Sequence, residues 1–72
     1  SSLSVAAGTT IHFRNANASG AQCTIFALDG SFESPVITRG EGWHHTFEKP
    51  GRYAFRVKEM PHVEGVILVA DE

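Results

Sequence analysis

The sequence predicts an all-β domain, built as an antiparallel β-sandwich or small barrel around one core. Glycine and proline divide the chain into short segments of fairly even spacing, and several of these segments alternate apolar and polar residues. No window has helix caps or a sustained 3.6-residue period. Five or six short strands separated by turns are typical of such folds. Because 72 residues leave room for only one core, we expect residues 1–72 to form a single domain.

The first half of the chain contains three predicted strands. Residues 3–5 fit a short strand. Residues 9–15 alternate, with Ile11 and Phe13 on one face, which indicates a strand with one buried face. Residues 23–28 are the third candidate.

The second half contains three more. Residues 43–47 alternate, with Trp43 and Phe47 on the same side. Residues 52–58 are the clearest case, since aromatic and aliphatic residues alternate with basic ones. Residues 66–70 are apolar on both faces, which predicts a central strand.

Tyr53 follows the turn residues Pro50 and Gly51 and lies at the start of a predicted strand. A tyrosine in this position can hydrogen bond back to the backbone of the turn, as in the tyrosine corner of β-sandwiches. It can equally be an ordinary core aromatic after a common turn. The sequence leaves both interpretations open.

Charge and hydropathy exclude several classes of protein. The formal net charge is −2 and the arginines are scattered along the chain, so we expect no nucleic-acid partner. The longest apolar run, residues 66–70, is far shorter than the roughly 20 residues of a transmembrane helix, and no transmembrane segment is expected. No nucleophile elbow, HExxH motif or phosphate-binding loop is present, so we expect no enzymatic activity.

Three side chains are candidate metal ligands: Cys23, Met60 and His62. Met60 and His62 lie in the predicted loop between the last two strands, and loops held by rigid strands commonly carry sites. A thiol, a thioether and an imidazole together favour Cu(I) over a hard cation. The alternative is that Met60 fills a gap in the core and Cys23 is an inert buried thiol.

The other histidines are expected to be structural or solvent-exposed. His44 and His45 are neighbours in a predicted strand and therefore point to opposite faces, so they do not readily share one ion. We expect His45 to be partly buried and His44 to lie on the surface. His12 belongs to the polar face of its strand and is also expected on the surface.

Taken in order, several segments resemble the cupredoxins, the family of small blue-copper electron carriers that includes plastocyanin and pseudoazurin. Residues 5–15 (VAAGTTIHFRN) resemble the family pattern V-x-x-G-x-x-V-x-F-x-N. Residues 30–34 (GSFES) and 40–55 (GEGWHHTFEKPGRYAF) are similar to its F-D-S and G-E-x-F-x-x-T-F-x-x-P-G-x-Y-x-Y segments. The resemblance implies a Greek-key antiparallel β-sandwich. Family members usually have one more strand before this region, so the first strand is expected to be missing.

The copper ligands of the family are largely replaced. Residues 57–65 (VKEMPHVEG) resemble the metal loop C-x-x-H-P-x-M-x-G, which aligns Val57 with the cysteine, Met60 with a histidine and Val63 with the axial methionine. Residues 23–25 (CTI) correspond to H-T-V, so Cys23 stands at the other histidine position. A blue-copper centre needs a thiolate, which Val57 cannot supply.

The resemblance therefore implies a cupredoxin-like module with a degenerate copper site, acting in binding or assembly. An open sheet edge would favour self-association or incorporation into a larger protein assembly. The alternative is a non-blue copper protein that binds Cu(I) through Cys23, Met60 and His62 for copper handling or electron transfer. The expected cofactor is accordingly copper or none. The family also implies a periplasmic or extracellular location.

Overall fold

The computed structural model describes residues 2–71, which form six strands and no helix. The strands are β1 (Ser2–Ala6), β2 (Thr9–Arg14), β3 (Ile25–Ala27), β4 (Gly42–Phe47), β5 (Gly51–Val57) and β6 (Met60–Ala70). They form a four-stranded sheet of order β1-β6-β5-β3 and a two-stranded sheet of β2 and β4. The predicted all-β sandwich and the central position of the last strand are confirmed. Within residues 2–71 no helix has the length and apolar character needed to cross a membrane.

The core lies between the two sheets because the predicted alternation holds. In β2 the odd-numbered residues are half-buried and the even-numbered ones are exposed. In β5 the side chain of Val57 is buried while those of Arg52 and Arg56 are exposed. The buried apolar residues are Cys23, Ile25, Ala27, Phe32, Ile37, Phe47, Val57, Ile67 and Val69. Two of them, Phe32 and Ile37, come from the segment between β3 and β4, so this irregular stretch covers part of the core.

One strand pair is parallel. β1 runs parallel to β6, with Ser2 opposite Val66 and Ala6 opposite Ala70, whereas antiparallel pairing throughout was expected. Antiparallel neighbours are usually joined by short turns, and parallel ones need a long connection. The connection between β1 and β6 is most of the chain, so no turn forces the antiparallel arrangement.

The tyrosine corner is present. The Tyr53 hydroxyl donates a hydrogen bond to the backbone carbonyl of Lys49 at 2.6 Å. The Tyr53 ring packs edge-on against the buried Phe47 ring, with centroids 5.2 Å apart. The residue therefore serves both as a core aromatic and as a link that fixes the turn before β5.

The segment that contains Met60 and His62 differs from the prediction. It was expected to be a loop, but β6 begins at Met60 and pairs with Val57 across a two-residue turn at residues 58–59. The next pair is Arg56 with Glu64, so residues 61–63 form a bulge on β6. Proline is tolerated at bulges because no ladder hydrogen bond is needed there, which explains how Pro61 lies within a strand.

The third strand, β3, is also shorter than expected. Residues 23–28 were predicted, but β3 comprises only Ile25–Ala27. Cys23 instead forms an isolated antiparallel bridge with Ile37. The chain joins the β5 ladder only at Ile25, because the backbone groups of Cys23 are paired with Ile37 in the segment between β3 and β4.

Candidate functional site

An apolar pocket of about 260 Å3 lies where β2 and β5 end and β6 begins. It is lined by Phe13, Arg14, Asn15, Ala16, Asn17, Cys23, Ile25, Ile37, Phe55, Val57, Met60 and Val63. The strands contribute most of the apolar wall, Cys23 and Ile37 complete it from outside the strands, and the loop after β2 contributes two asparagines. Four of these residues stand at the positions that the sequence resemblance aligned with copper ligands: Cys23, Met60, Val57 and Val63.

The structure brings together two of the three predicted ligands. Cys23 and Met60 both line the pocket, with Cys23 buried and Met60 half-buried. His62 does not line it and is exposed on the bulge of β6. Its imidazole is therefore separated from the two sulfur side chains because the bulge directs this residue to solvent.

The position of Cys23 is fixed by its backbone. Its N–H donates to the Ile37 carbonyl at 3.0 Å, and its own carbonyl accepts from the Ile37 N–H at 2.7 Å. Its side chain is a free thiol, since the sequence contains a single cysteine. The pair of backbone hydrogen bonds holds Cys23 in the pocket wall, where the residue is buried.

The residue after Cys23 is fixed by the turn between β5 and β6. Glu59 accepts hydrogen bonds from both the backbone N–H of Thr24, at 2.7 Å, and its hydroxyl, at 2.8 Å. The hydroxyl of Thr24 is the main cause of a lowered pKa for the Glu59 carboxyl, because it stabilises the charged form. The Lys58 N–H also donates to the Thr24 carbonyl at 2.9 Å. This Glu59–Thr24 clamp connects the two sides of the pocket.

The polar wall of the pocket is built by two asparagines. Asn15 is buried, and its amide Nδ2 donates to the carbonyls of Ala21 and Ile37 at 2.8 and 2.9 Å. Its Oδ1 accepts from the Asn17 N–H at 3.0 Å. The Asn17 Nδ2 then donates to Met60 Sδ at 3.3 Å. The loop after β2 is thus shaped by Asn15, and Asn17 orients the thioether.

Sequence reasoning did not identify Glu59, Asn15 or Asn17 as parts of the site. The two asparagines carry a local signal, since asparagine side chains often bond the backbone two residues on, as Asn15 does here. Glu59 carries none, because its partner Thr24 is 35 residues away in the chain. The clamp becomes visible only once the strands are paired.

The remaining histidines lie outside this pocket, as expected. His45 is half-buried and stacks on Trp43, with ring centroids 5.4 Å apart. It also packs edge-on against Phe47 at 4.8 Å. His12 and His44 are exposed. The expectations that His45 is partly buried and that His12 and His44 lie on the surface are confirmed.

The residues of the pocket do not fit a blue-copper centre. Such a centre needs a thiolate and two imidazoles in one plane. None of the described residues that line the pocket is a histidine, and Cys23 is the one thiol among them. Within residues 2–71 no three His, Cys, Asp or Glu side chains are close enough to share an ion. What the pocket offers is a soft thiol and a soft thioether in apolar surroundings.

Solved structures with the same fold include copper proteins. A purple cupredoxin from Nitrosopumilus maritimus is 25% identical, with a TM-score of 0.85 over 96% of this chain and 77% of that one. A copper-containing nitrite reductase from Thermus scotoductus SA-01 is 26% identical, with a TM-score of 0.88 over 99% of this chain and 19% of that one. A reduced mutant of amicyanin, 18% identical, has a TM-score of 0.84 over 96% of this chain and 69% of its own.

No protein-family profile matches this sequence, and neither does any curated protein. The likeness is therefore carried by the three-dimensional arrangement of the strands. The resemblance that the sequence motifs indicated is confirmed at that level.

Proposed function

We propose that this chain, which has the fold of the cupredoxins, is a non-enzymatic binding and assembly module whose copper site has degenerated. The observation that supports this most directly is the lining of the pocket. Val57 and Val63 stand at two ligand positions, and no histidine of the described residues faces the pocket. Val57 is buried, as close packing requires once a metal is no longer held, and Val63, which is 40% exposed, offers no ligand atom.

The assembly part of the proposal rests on the edges of the sheets. β1 pairs with β6 on one flank and has no strand partner on the other within residues 2–71. An unpaired flank offers a row of N–H and C=O groups to another chain. β1 also carries Leu3, an apolar side chain that is 51% exposed. We propose that a second copy of the chain pairs along this edge, in a closed twofold arrangement.

Sedimentation velocity over a range of concentrations tests the assembly. We expect a dimer, and we expect Leu3→Lys to shift it to monomer because a charge on an edge strand opposes edge pairing. Leu28→Lys is the matched control, since Leu28 is 52% exposed but lies outside the strands. A monomer at every concentration, or equal effects of the two substitutions, would refute edge pairing.

Visible absorption tests the degenerate site. We expect that Cu(II) added to the purified protein gives no intense blue band, because the thiolate position holds Val57. An intense blue band would overturn both the alignment of the loop and the proposal.

A second candidate function is the binding of Cu(I) for copper handling. It is favoured by one observation, the presence of Cys23 and Met60 in the same pocket. Soft sulfur ligands in apolar surroundings select Cu(I). A titration of the reduced protein with Cu(I) against a competing chelator decides between the two candidates. One tight equivalent that is lost in Cys23→Ser and in Met60→Leu would favour copper handling.

His62 has a separate test in that titration. It is exposed outside the pocket, so we expect His62→Gln to leave any Cu(I) affinity unchanged. A loss in that variant would mean that the bulge closes over the ion.

We also propose that the chain acts outside the cytoplasm, in the periplasm or the extracellular space, as the family resemblance implies.

A further inference from the structure

Two histidines form a cross-strand pair on the solvent face of the small sheet. His12 in β2 is directly opposite His44 in β4 in the antiparallel register. Their ring centroids are 5.4 Å apart and the ring planes are tilted by 41°. Both side chains are exposed. Neither ring forms a hydrogen bond with another of the described residues 2–71, so no protein group occupies their ring nitrogens.

The register that brings the two rings together is well determined. The register pairs on either side of His12 and His44, which include Ile11 opposite His45, lie on the face of the small sheet that packs on the core. On the outer face, the hydroxyls of Thr10 and Thr46 hydrogen bond to each other at 2.7 Å. A slip of one residue would turn the buried face of the strand to solvent, which holds the register in place. The two histidines therefore stay opposite each other while the sheet is folded.

We propose that His12 and His44 form a surface site for a divalent transition-metal ion, separate from the apolar pocket. Neutral imidazole is a good ligand for Ni²⁺, Cu²⁺ and Zn²⁺. Bonds of about 2.0–2.1 Å place two ring nitrogens on one ion at most about 4.2 Å apart. The ring nitrogens lie on the rims of the rings, so rings with centroids 5.4 Å apart reach this spacing by small side-chain rotations. Exposed side chains make such rotations readily.

Two imidazoles leave coordination positions open. The described residues around the pair supply no third His, Cys, Asp or Glu ligand, so the ion keeps water molecules. The nearest charged side chain on this face of β2 is Arg14, at the next outward position after His12, and it is exposed. Its partner in the register is Gly42, which presents no side chain. The positive charge of Arg14 opposes a bound cation, so Arg14→Gln is expected to tighten binding.

The test is titration calorimetry with Ni²⁺ alone, on the full chain without a polyhistidine tag. Ni²⁺ prefers imidazole and so separates this site from the soft sulfur pocket. We expect one ion per chain, and affinity on the order of 100-fold weaker in His12→Gln and in His44→Gln, because each variant loses the chelate effect of the second ring. His62→Gln is the matched control, since it removes an exposed histidine outside the pair.

Thermal unfolding gives a second readout. A bound ion holds β2 to β4, strands that are distant in sequence, and it binds the folded chain only. Ni²⁺ should therefore raise the midpoint of unfolding of the parent chain and of His62→Gln, and leave both single variants unchanged. Circular dichroism before metal addition confirms that the variants are folded.

Three results would overturn the site. They are parent-like affinity in either single variant, an equal loss in His62→Gln, and no heat of binding in the parent chain. The outcome is independent of the function proposed for the pocket. Cys23→Ser should leave Ni²⁺ affinity unchanged, so the two proposals fail separately.

Discussion

Replacing Asn15 by alanine is expected to destabilise the whole domain. Asn15 is only 4% exposed. It forms three hydrogen bonds to backbone groups, two as donor to Ala21 and Ile37 and one as acceptor from Asn17. A typical hydrogen bond contributes about 0.5–1.5 kcal/mol net, so the loss should be about 2–4 kcal/mol. A domain of this size has a free energy of unfolding of roughly 4–10 kcal/mol, so the effect is a large fraction of the total.

Urea unfolding followed by tryptophan fluorescence measures this change. Trp43 is the one tryptophan of the chain and stacks on Phe13, two residues before Asn15, so its emission reports on this region. Each kcal/mol should also lower the thermal midpoint by about 4–8 °C. Arg14→Ala is the control, because Arg14 is the exposed neighbour of Asn15 and should change stability by less than about 0.5 kcal/mol.

The isosteric variant Asn15→Asp sharpens the test. It keeps an acceptor for the Asn17 N–H but turns an oxygen toward the carbonyls of Ala21 and Ile37. We expect it to be at least as destabilising as alanine. If both variants matched Arg14→Ala, the interpretation of Asn15 as the residue that shapes the pocket loop would be wrong.

Three further predictions follow from other contacts. Glu59→Gln should make the stability of the fold less sensitive to acid. The pKa of Glu59 lies below its ordinary value of 4.5, so its clamp on Thr24 stabilises the fold above that value. This stabilisation is lost as pH falls through the lowered pKa. Acid titrations of parent and variant by circular dichroism that coincide below pH 4.5 would contradict this. Gly65→Ala should lower the free energy of unfolding in urea by about 1–3 kcal/mol, because a Cβ there would lie 2.7 Å from the Phe55 ring. Stability equal to that of the parent would show that the ring moves aside. The fourfold variant Cys23→His, Val57→Cys, Met60→His and Val63→Met should develop a blue absorption band with Cu(II) if these positions are the former ligand set, and a colourless folded protein would refute that alignment.

Much of the fold could be predicted because it depends on local patterns. The alternation of apolar residues in β2 and β5 identified the buried faces, and the apolar run in β6 identified a central strand. Turn residues marked most boundaries. Errors arose where pairing partners lie far apart in the chain, as for β1 and β6, whose parallel register no short motif encodes.

The site was predictable in part for the same reason. Cys23 and Met60 were identified from their types and from a resemblance to a known loop, and both line the pocket. His62 was grouped with them because it follows Met60 in a predicted loop, whereas the chain forms a bulged strand that turns His62 to solvent. The pairing of His12 with His44 depends on the β2–β4 register, which single-strand periodicity does not reveal.

The parallel pairing of the first and last strands has a mechanical consequence. When the two ends of the described chain are pulled apart, the force on β1 and the force on β6 act in opposite directions along adjacent, parallel strands. The five residue pairs of this ladder are then loaded in shear and must break together, whereas a hairpin pulled at its open end unzips one pair at a time. Pulled in this direction, the domain should resist force more strongly than its small core alone implies.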